Sequence, residues 1–164
     1  MPAGYTYDGR TRIFWLDNDP ADPSAPTMGE LTAGVDLSGY LVPGSFNPTP
    51  SNARVNSGDA LTSFDAQSPG RFGYAPTCAF KSKLVSGGTV AWDTLGARLV
   101  SGCLVFFEDV DEGSDVAAGA ECDVYISCLT GEPRRPTVAD NTERRFEVDF
   151  MCGDRPAIGS TVAA

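Results

Sequence analysis

The sequence predicts a mainly β protein, a β-sandwich or barrel of about seven short strands with one flanking α-helix, on three observations. Chain-breaking residues, 18 Gly and 12 Pro, are spread throughout, and the longest stretch free of both is Thr137–Cys152, sixteen residues. A helical bundle needs longer uninterrupted runs. Several segments alternate apolar and polar side chains with the two-residue period of a strand facing a core on one side. Finally, the 164-residue length fits one domain with a real core. The expected division is a β domain over 1–152, carrying a long loop at 47–75, and a C-terminal arm over 153–164.

Arg10–Leu16 (RTRIFWL) reads as the first strand, β-branched and aromatic, stopped by Asp17-Asn18-Asp19-Pro20. After a Pro-rich link, Thr27-Met28-Gly29-Glu30 has the spacing of a capping box. The helix it opens is short, with Gly34 as its left-handed terminator. Val35–Val42 (VDLSGYLV) alternates and predicts a second strand. From Asn47 to Ala75 the chain is rich in Ser, Asn, Gly and Pro without a clear period, so it reads as a loop; Leu61 and Phe64 share at most one helical turn.

Pro76–Val85 alternates Cys78, Phe80, Ser82 and Leu84 against Thr77, Ala79, Lys81 and Lys83, a third strand. Thr89–Leu99 sets Val90, Trp92, Leu95 and Leu99 at helical spacing, the one substantial helix expected. Cys103–Phe107 (CLVFF) is apolar on both faces, as a covered central strand would be. An acidic loop, Glu108 to Gly119, precedes Glu121–Leu129, where Cys122, Val124, Ile126 and Cys128 alternate with polar neighbours. Arg145–Cys152 (RFEVDFMC) alternates likewise, and the tail after Gly153 reads as an arm.

Charge and residue types exclude much chemistry. The chain has no histidine, which removes Ser-His-Asp and Cys-His catalysis and the commonest transition-metal ligand. Neither a phosphate-loop nor a dinucleotide-binding glycine motif is present. The formal charge of −10 opposes nucleic-acid affinity, which rests on Lys and Arg displacing counterions from phosphates. Five cysteines, Cys78, Cys103, Cys122, Cys128 and Cys152, lack any C-x-x-C spacing and read as small core residues. No signal-peptide core or long apolar run is present, so the expectation is a soluble chain made in a reducing cytoplasm. Trp15 and Trp92 are expected in the core. Asp109, Asp111, Glu112 and Asp115 resemble a calcium loop, but position 12 of that loop is Ala120 where a bidentate Glu is needed. No metal, cofactor or catalytic residue is therefore assigned; a calcium-dependent β-sandwich binding module stands as a distant alternative.

Three segments in order resemble the major tail tube proteins of long-tailed, siphovirus-type bacteriophages. They are Ala25–Leu41 (APTMGELTAGVDLSGYL), Cys122–Ile126 (CDVYI) and Arg145–Phe150 (RFEVDF), the last followed by a small-residue arm ending Val162-Ala163-Ala164. The Ile126-Ser127 pair departs from a pattern that often carries proline there. The resemblance implies a structural virion protein, not an enzyme. Such a protein assembles in the host cytoplasm into stacked, hexameric rings that form the phage tail tube through which DNA is ejected. Implied partners are the chain itself and the tape measure, terminator and distal tail proteins; genomic DNA passes without specific binding, and no membrane is involved. A tail terminator or head–tail joining protein of related fold is the alternative.

Two sets of site residues are expected. Leu99 to Pro133 holds eight acids and no base, and Glu121, Asp123, Glu147 and Asp149 are the candidate lumen-facing acids, repelling phosphates so that DNA slides. Arg54, Phe64, Arg71 and Phe72 are the candidate ring-stacking residues of the long loop, and neighbouring copies are expected to cover sheet edges.

Overall fold

A computed structural model describes residues 9–56, 67–137 and 143–164. The first strand, β1 (Arg12–Leu16), leads to helix α1 (Met28–Ala33) and the two-residue β2 (Val35–Asp36). A hairpin comes next, β3 (Pro50–Asn56) and β4 (Gln67–Tyr74), then β5 (Thr77–Lys81), helix α2 (Val90–Leu95) and β6 (Ser101–Phe107). The chain finishes with β7 (Glu121–Thr130), β8 (Arg145–Cys152) and β9 (Ala157–Thr161). The main sheet is antiparallel, in the order β2-β1-β6-β7-β8-β5, and β9 also pairs with β7; β3 and β4 form a separate two-stranded sheet. The mainly β architecture expected from the sequence is the one observed.

The main sheet curls. Trp15 on β1 and Phe150 on β8 bring their rings to 5.5 Å, although β6 and β7 lie between them in the sheet. In a flat sheet three strand spacings would separate them by about 14 Å. Inside the curl Ile13, Trp15, Phe80, Leu104, Phe106, Tyr125, Phe146, Val148 and Phe150 form the larger core, closed by Ala91 and Leu95 of α2. On the outer face Leu16, Cys103, Val105, Phe107, Cys122 and Val124 form a second core under Leu31 of α1 and Val162 of the C-terminal arm. Residues 103–107 thus point alternately into two cores, which is why the sequence there is apolar throughout.

The capping box of α1 is complete. The Glu30 N–H donates to Thr27 Oγ1 at 3.2 Å, and the Thr27 N–H donates to Glu30 Oε2 at 2.8 Å. Gly34 ends the helix in an extended conformation (φ −79°) rather than the left-handed one expected. Its glycine answers to space: a Cβ there would collide with Leu16 Cδ2. Helix α2 stops at Leu95, before Gly96, so it is no longer than α1.

Four further expectations are corrected. Only Val35–Asp36 of the expected Val35–Val42 strand is extended, and Ser38–Tyr40 is a 3₁₀ turn. Asp36 Oδ1 accepts the Ser38 N–H at 2.9 Å, and Ser38 Oγ accepts the Ile13 N–H at 3.0 Å, so side chains satisfy what a ladder would have. Leu37 and Tyr40 both reach the inner core, a three-residue spacing that the alternating reading missed. The loop expected at 47–75 contains the β3–β4 hairpin, and the tail after Gly153 contains β9. In β7, Ile126 and Ser127 together oppose Cys103, a bulge with Ser127 at φ 51°. Asp19 holds it, accepting the Ser127 N–H at 2.8 Å and its hydroxyl at 2.9 Å. The bulge reverses the facing of the strand beyond it, so Cys128 enters the inner core while Cys122 and Val124 lie in the outer one.

Candidate assembly surfaces

The four candidate acids divide into two pairs. Asp123 lies opposite Phe106 and so shares the inner face of the sheet, as does Glu121 two residues before it. Glu147 and Asp149 alternate with inward-facing Phe146, Val148 and Phe150, which places them on the outer face. The pairs also sit at opposite ends of β7, since β8 meets β7 only over Cys128–Thr130. By strand rise they are roughly 25–30 Å apart. No single surface carries all four.

Their electrostatic settings differ as well. Arg134 reaches Asp149 Oδ1 at 2.9 Å and Glu147 Oε2 at 3.8 Å, and Lys81 pairs with Glu143 at 2.9 Å, so charge on the outer pair's surroundings is nearly balanced. At the other end, Glu108, Asp109, Asp111, Glu112 and Asp115 follow β6 and precede Glu121 and Asp123, and among the described residues Arg10 and Arg12 are the cations at the start of the paired β1. Arg10 bridges Asp109 at 2.9 Å and Asp111 at 2.6 Å, so two of the loop's carboxylates are paired with a guanidinium. Among the described residues no three His, Cys, Asp or Glu side chains converge to hold a metal ion. Arg10 is a residue sequence reasoning missed, because its partners lie about a hundred positions away and no local pattern links them.

The hairpin supplies the second surface. Every described side chain of β3 is exposed, and Val55 (55%) and Phe72 (59%) present apolar surface to solvent. Arg54 donates to Gln67 Oε1 at 3.3 Å across the hairpin, and the Arg155 guanidinium lies 5.7 Å from the Phe72 ring centre. Arg71 is exposed beside Phe72, so Arg54, Arg71 and Phe72 share this small element. Phe64 lies outside the described residues. Trp92, expected in the core, is half-buried: it meets Phe146 edge-on at 5.1 Å and carries Arg135 on its face at 3.6 Å. Trp15 is fully buried.

Much of the main sheet's edge is covered from within. Asn47 exchanges backbone hydrogen bonds with Thr77, and the Val42 N–H donates to the Ala79 carbonyl, shielding β5. Residues Ser24 and Pro26 accept from Thr161 and Ala163 along the arm that continues β9. These contacts shield β5 and β9, and the exposed hairpin stands out.

The sequence profile of a family described as phage tail tube protein matches residues 1–164, the entire chain. The chain belongs to that phage tail tube protein family. No curated protein matches it. Solved structures share the fold at low identity. The sheath/tube terminator of an extracellular contractile injection system, in its extended state, has a TM-score of 0.58 at 12% identity, over 95% of this chain and 97% of the other. The anti-feeding prophage tube-terminating cap gives 0.55 at 11%, over 95% and 92%. The six-fold symmetrised anti-feeding prophage baseplate gives 0.53 at 12%, over 95% of each chain. No helix among the described residues is long and apolar enough to cross a membrane.

Proposed function

We propose that copies of this chain close into hexameric rings that stack into a tail tube, the conduit by which DNA is ejected. Membership of the tail tube family across residues 1–164 is the observation that carries this reading. The six-fold symmetry named for the baseplate of similar fold supports the ring number. The role is structural and non-enzymatic, the site of action is the virion after assembly in the host cytoplasm, and the partners are other copies together with the tape measure, terminator and distal tail proteins.

Because the four acids occupy two faces, the lumen assignment narrows. Glu121 and Asp123, at the end of the sheet where acids outnumber bases, are the pair we assign to the channel. Glu147 and Asp149, matched by Arg134, are better placed to fix a protein contact. A channel wall rich in carboxylates repels phosphates and releases no counterions to them, so DNA passes without adhering. Ring stacking falls to the hairpin residues Arg54, Arg71 and Phe72.

Electron microscopy of the purified protein tests the reading. Long hollow tubes of stacked rings are expected. Single closed rings that do not grow would instead identify a head–tail joining protein or a terminator, tube termination being the role named for two of the structures of similar fold.

A further inference from the structure

Cys128 and Cys152 face each other directly across the β7–β8 ladder, with their sulfurs 3.5 Å apart. Opposed residues of an antiparallel pair have Cα atoms about 4.5–5.5 Å apart, within the range a disulfide bridges. The juxtaposition depends on the bulge. Were the same residues in plain alternation through Ile126-Ser127, Cys128 would point into the outer core with Cys122 and Val124, away from its partner. The ladder they sit in is short: Cys128, Leu129 and Thr130 pair with Cys152, Met151 and Phe150. It is nevertheless the direct link between the part of the sheet holding β1, β6 and β9 and the part holding β5.

The two thiols are unequal. Cys128 is fully buried, its sulfur 3.2 Å from the Tyr125 carbonyl oxygen and 3.5 Å from the Cys152 sulfur, whereas Cys152 is half-buried at the end of β8. A hydrogen bond from Cys128 favours the Cys152 thiolate and lowers its pKa, while the same bond and burial push Cys128 up. Desolvation pushes the buried Cys78, Cys103 and Cys122 thiols up, Cys122 to about 12. Reactivity tracks thiolate character and access, and both favour Cys152.

We propose that Cys128 and Cys152 form an oxidation site, where a hydroperoxide converts the pair into an intrachain disulfide tying β7 to β8. The Cys152 thiolate attacks one peroxide oxygen, the O–O bond breaks, and sulfenic acid and hydroxide result. The Cys128 sulfur then attacks the sulfenic sulfur; the S–S bond forms, the S–O bond breaks, and the departing hydroxyl leaves as water with the thiol proton. Two thiols and one hydrogen peroxide become one disulfide and two waters. The bond closes a loop between residues 24 apart in sequence and removes freedom chiefly from the unfolded chain. On the tube reading proposed above, the bond would form after the particle leaves a reducing interior; the oxidation itself rests on the geometry alone.

The test treats reduced full-length chain with hydrogen peroxide, blocks remaining thiols by alkylation, and maps peptides by mass spectrometry. A linked pair of peptides containing Cys128 and Cys152, two hydrogens lighter than the reduced pair, is expected. Tm should rise by about 6–12 °C and return on adding dithiothreitol. Cys152→Ser, at a half-exposed position, should keep the fold and lose both effects, whether or not Cys128→Ala folds. Cys152 found as sulfinic acid beside an unreacted Cys128, a bond between two copies, or both thiols still alkylatable would each overturn the proposal. Polymerisation enters none of these readouts, so a protein that formed no tubes would leave this result standing.

Discussion

The β3–β4 hairpin and the curled main sheet obey the same backbone rules and differ in what holds them. Strand β6 sets most of its side chains into one core or the other, and β8 sets alternate ones, with Phe146, Val148 and Phe150 completely buried. The hairpin has an antiparallel ladder, broken by one register shift, yet no fully buried side chain among its described residues. Among these only Tyr74, at its end, packs against the inner core, and a two-stranded ribbon is marginal by itself. The main sheet thus carries the buried cores, while the hairpin, on the reading proposed above, is completed by another copy. This divides folding from assembly, and substitutions in each region should separate the two.

The largest expected effect is in the inner core. Phe150 stacks near Trp15, and Phe150→Ala should destabilise the protein by about 3–5 kcal/mol through lost transfer energy and the cavity left behind. Thermal or urea unfolding measures it directly, and a loss below about 1 kcal/mol would mean that the two ends of the curled sheet are not joined there. Next comes Gly102, where a Cβ would collide with the Leu16 carbonyl oxygen and lie 2.5 Å from the Trp15 ring. Backbone cannot yield as a side-chain tip can, so Gly102→Ala should cost about 1–3 kcal/mol. An unchanged melting temperature would show that β1 and β6 can separate without penalty.

How much of this contrast the sequence discloses depends on burial. Strands β1, β5, β6, β7 and β8 are legible because each buries at least one face, and burial imposes a period. Helix α1 is legible because Thr27 and Glu30 carry its start in four residues. The hairpin is not, because with both faces wet Arg54, Val55, Arg71 and Phe72 alternate against nothing. Its register also breaks where Gly70 passes Ala53, with only 3.1 Å between a would-be Cβ and the Ala53 oxygen. The Cys128–Cys152 pair is hidden for another reason: one bulge residue shifts the phase of β7, and plain alternation puts Cys128 on the wrong side. For the acids, spacing on each strand is readable but the face is not, since the face depends on that bulge and on which core each strand serves.

Smaller effects lie where α1 caps the outer core. Thr27→Ala removes the acceptor of the Glu30 N–H and should cost about 1 kcal/mol. Glu30 also accepts the Ala21 N–H at 2.8 Å, and that bond, together with the smaller effect of the one from Thr27, lowers its pKa below the ordinary 4.5. A carboxylate with a depressed folded-state pKa contributes stability that is complete above the unfolded value. The contribution is lost as pH falls through the folded one. Unfolding measured from pH 6 down to about 2 should therefore show a slope below about 4.5 that Glu30→Gln diminishes. Equal slopes in the two proteins would assign the acid sensitivity to other carboxylates.

The smallest expected effect on folding is the most informative about assembly. Phe72→Ala is chemically the same substitution as Phe150→Ala, but Phe72 is 59% exposed and packs on no core. Its cost to stability should stay within about 0.5 kcal/mol, as for surface sites generally. Arg71→Glu, also exposed, should be as mild. If the hairpin is the ring-stacking element, both variants nevertheless reduce polymerisation, because an aromatic anchor and a cation are lost where two acidic bodies must meet. Replacing residues 50–73 by a short Gly-Ser linker, which keeps Tyr74 against the inner core, should then give a folded monomer with nearly the parent melting temperature and no tubes. Variants that polymerise normally would remove the hairpin from stacking and leave the main sheet as the contact surface. A linker protein that fails to fold would make the hairpin part of the core structure, against every exposed side chain it carries.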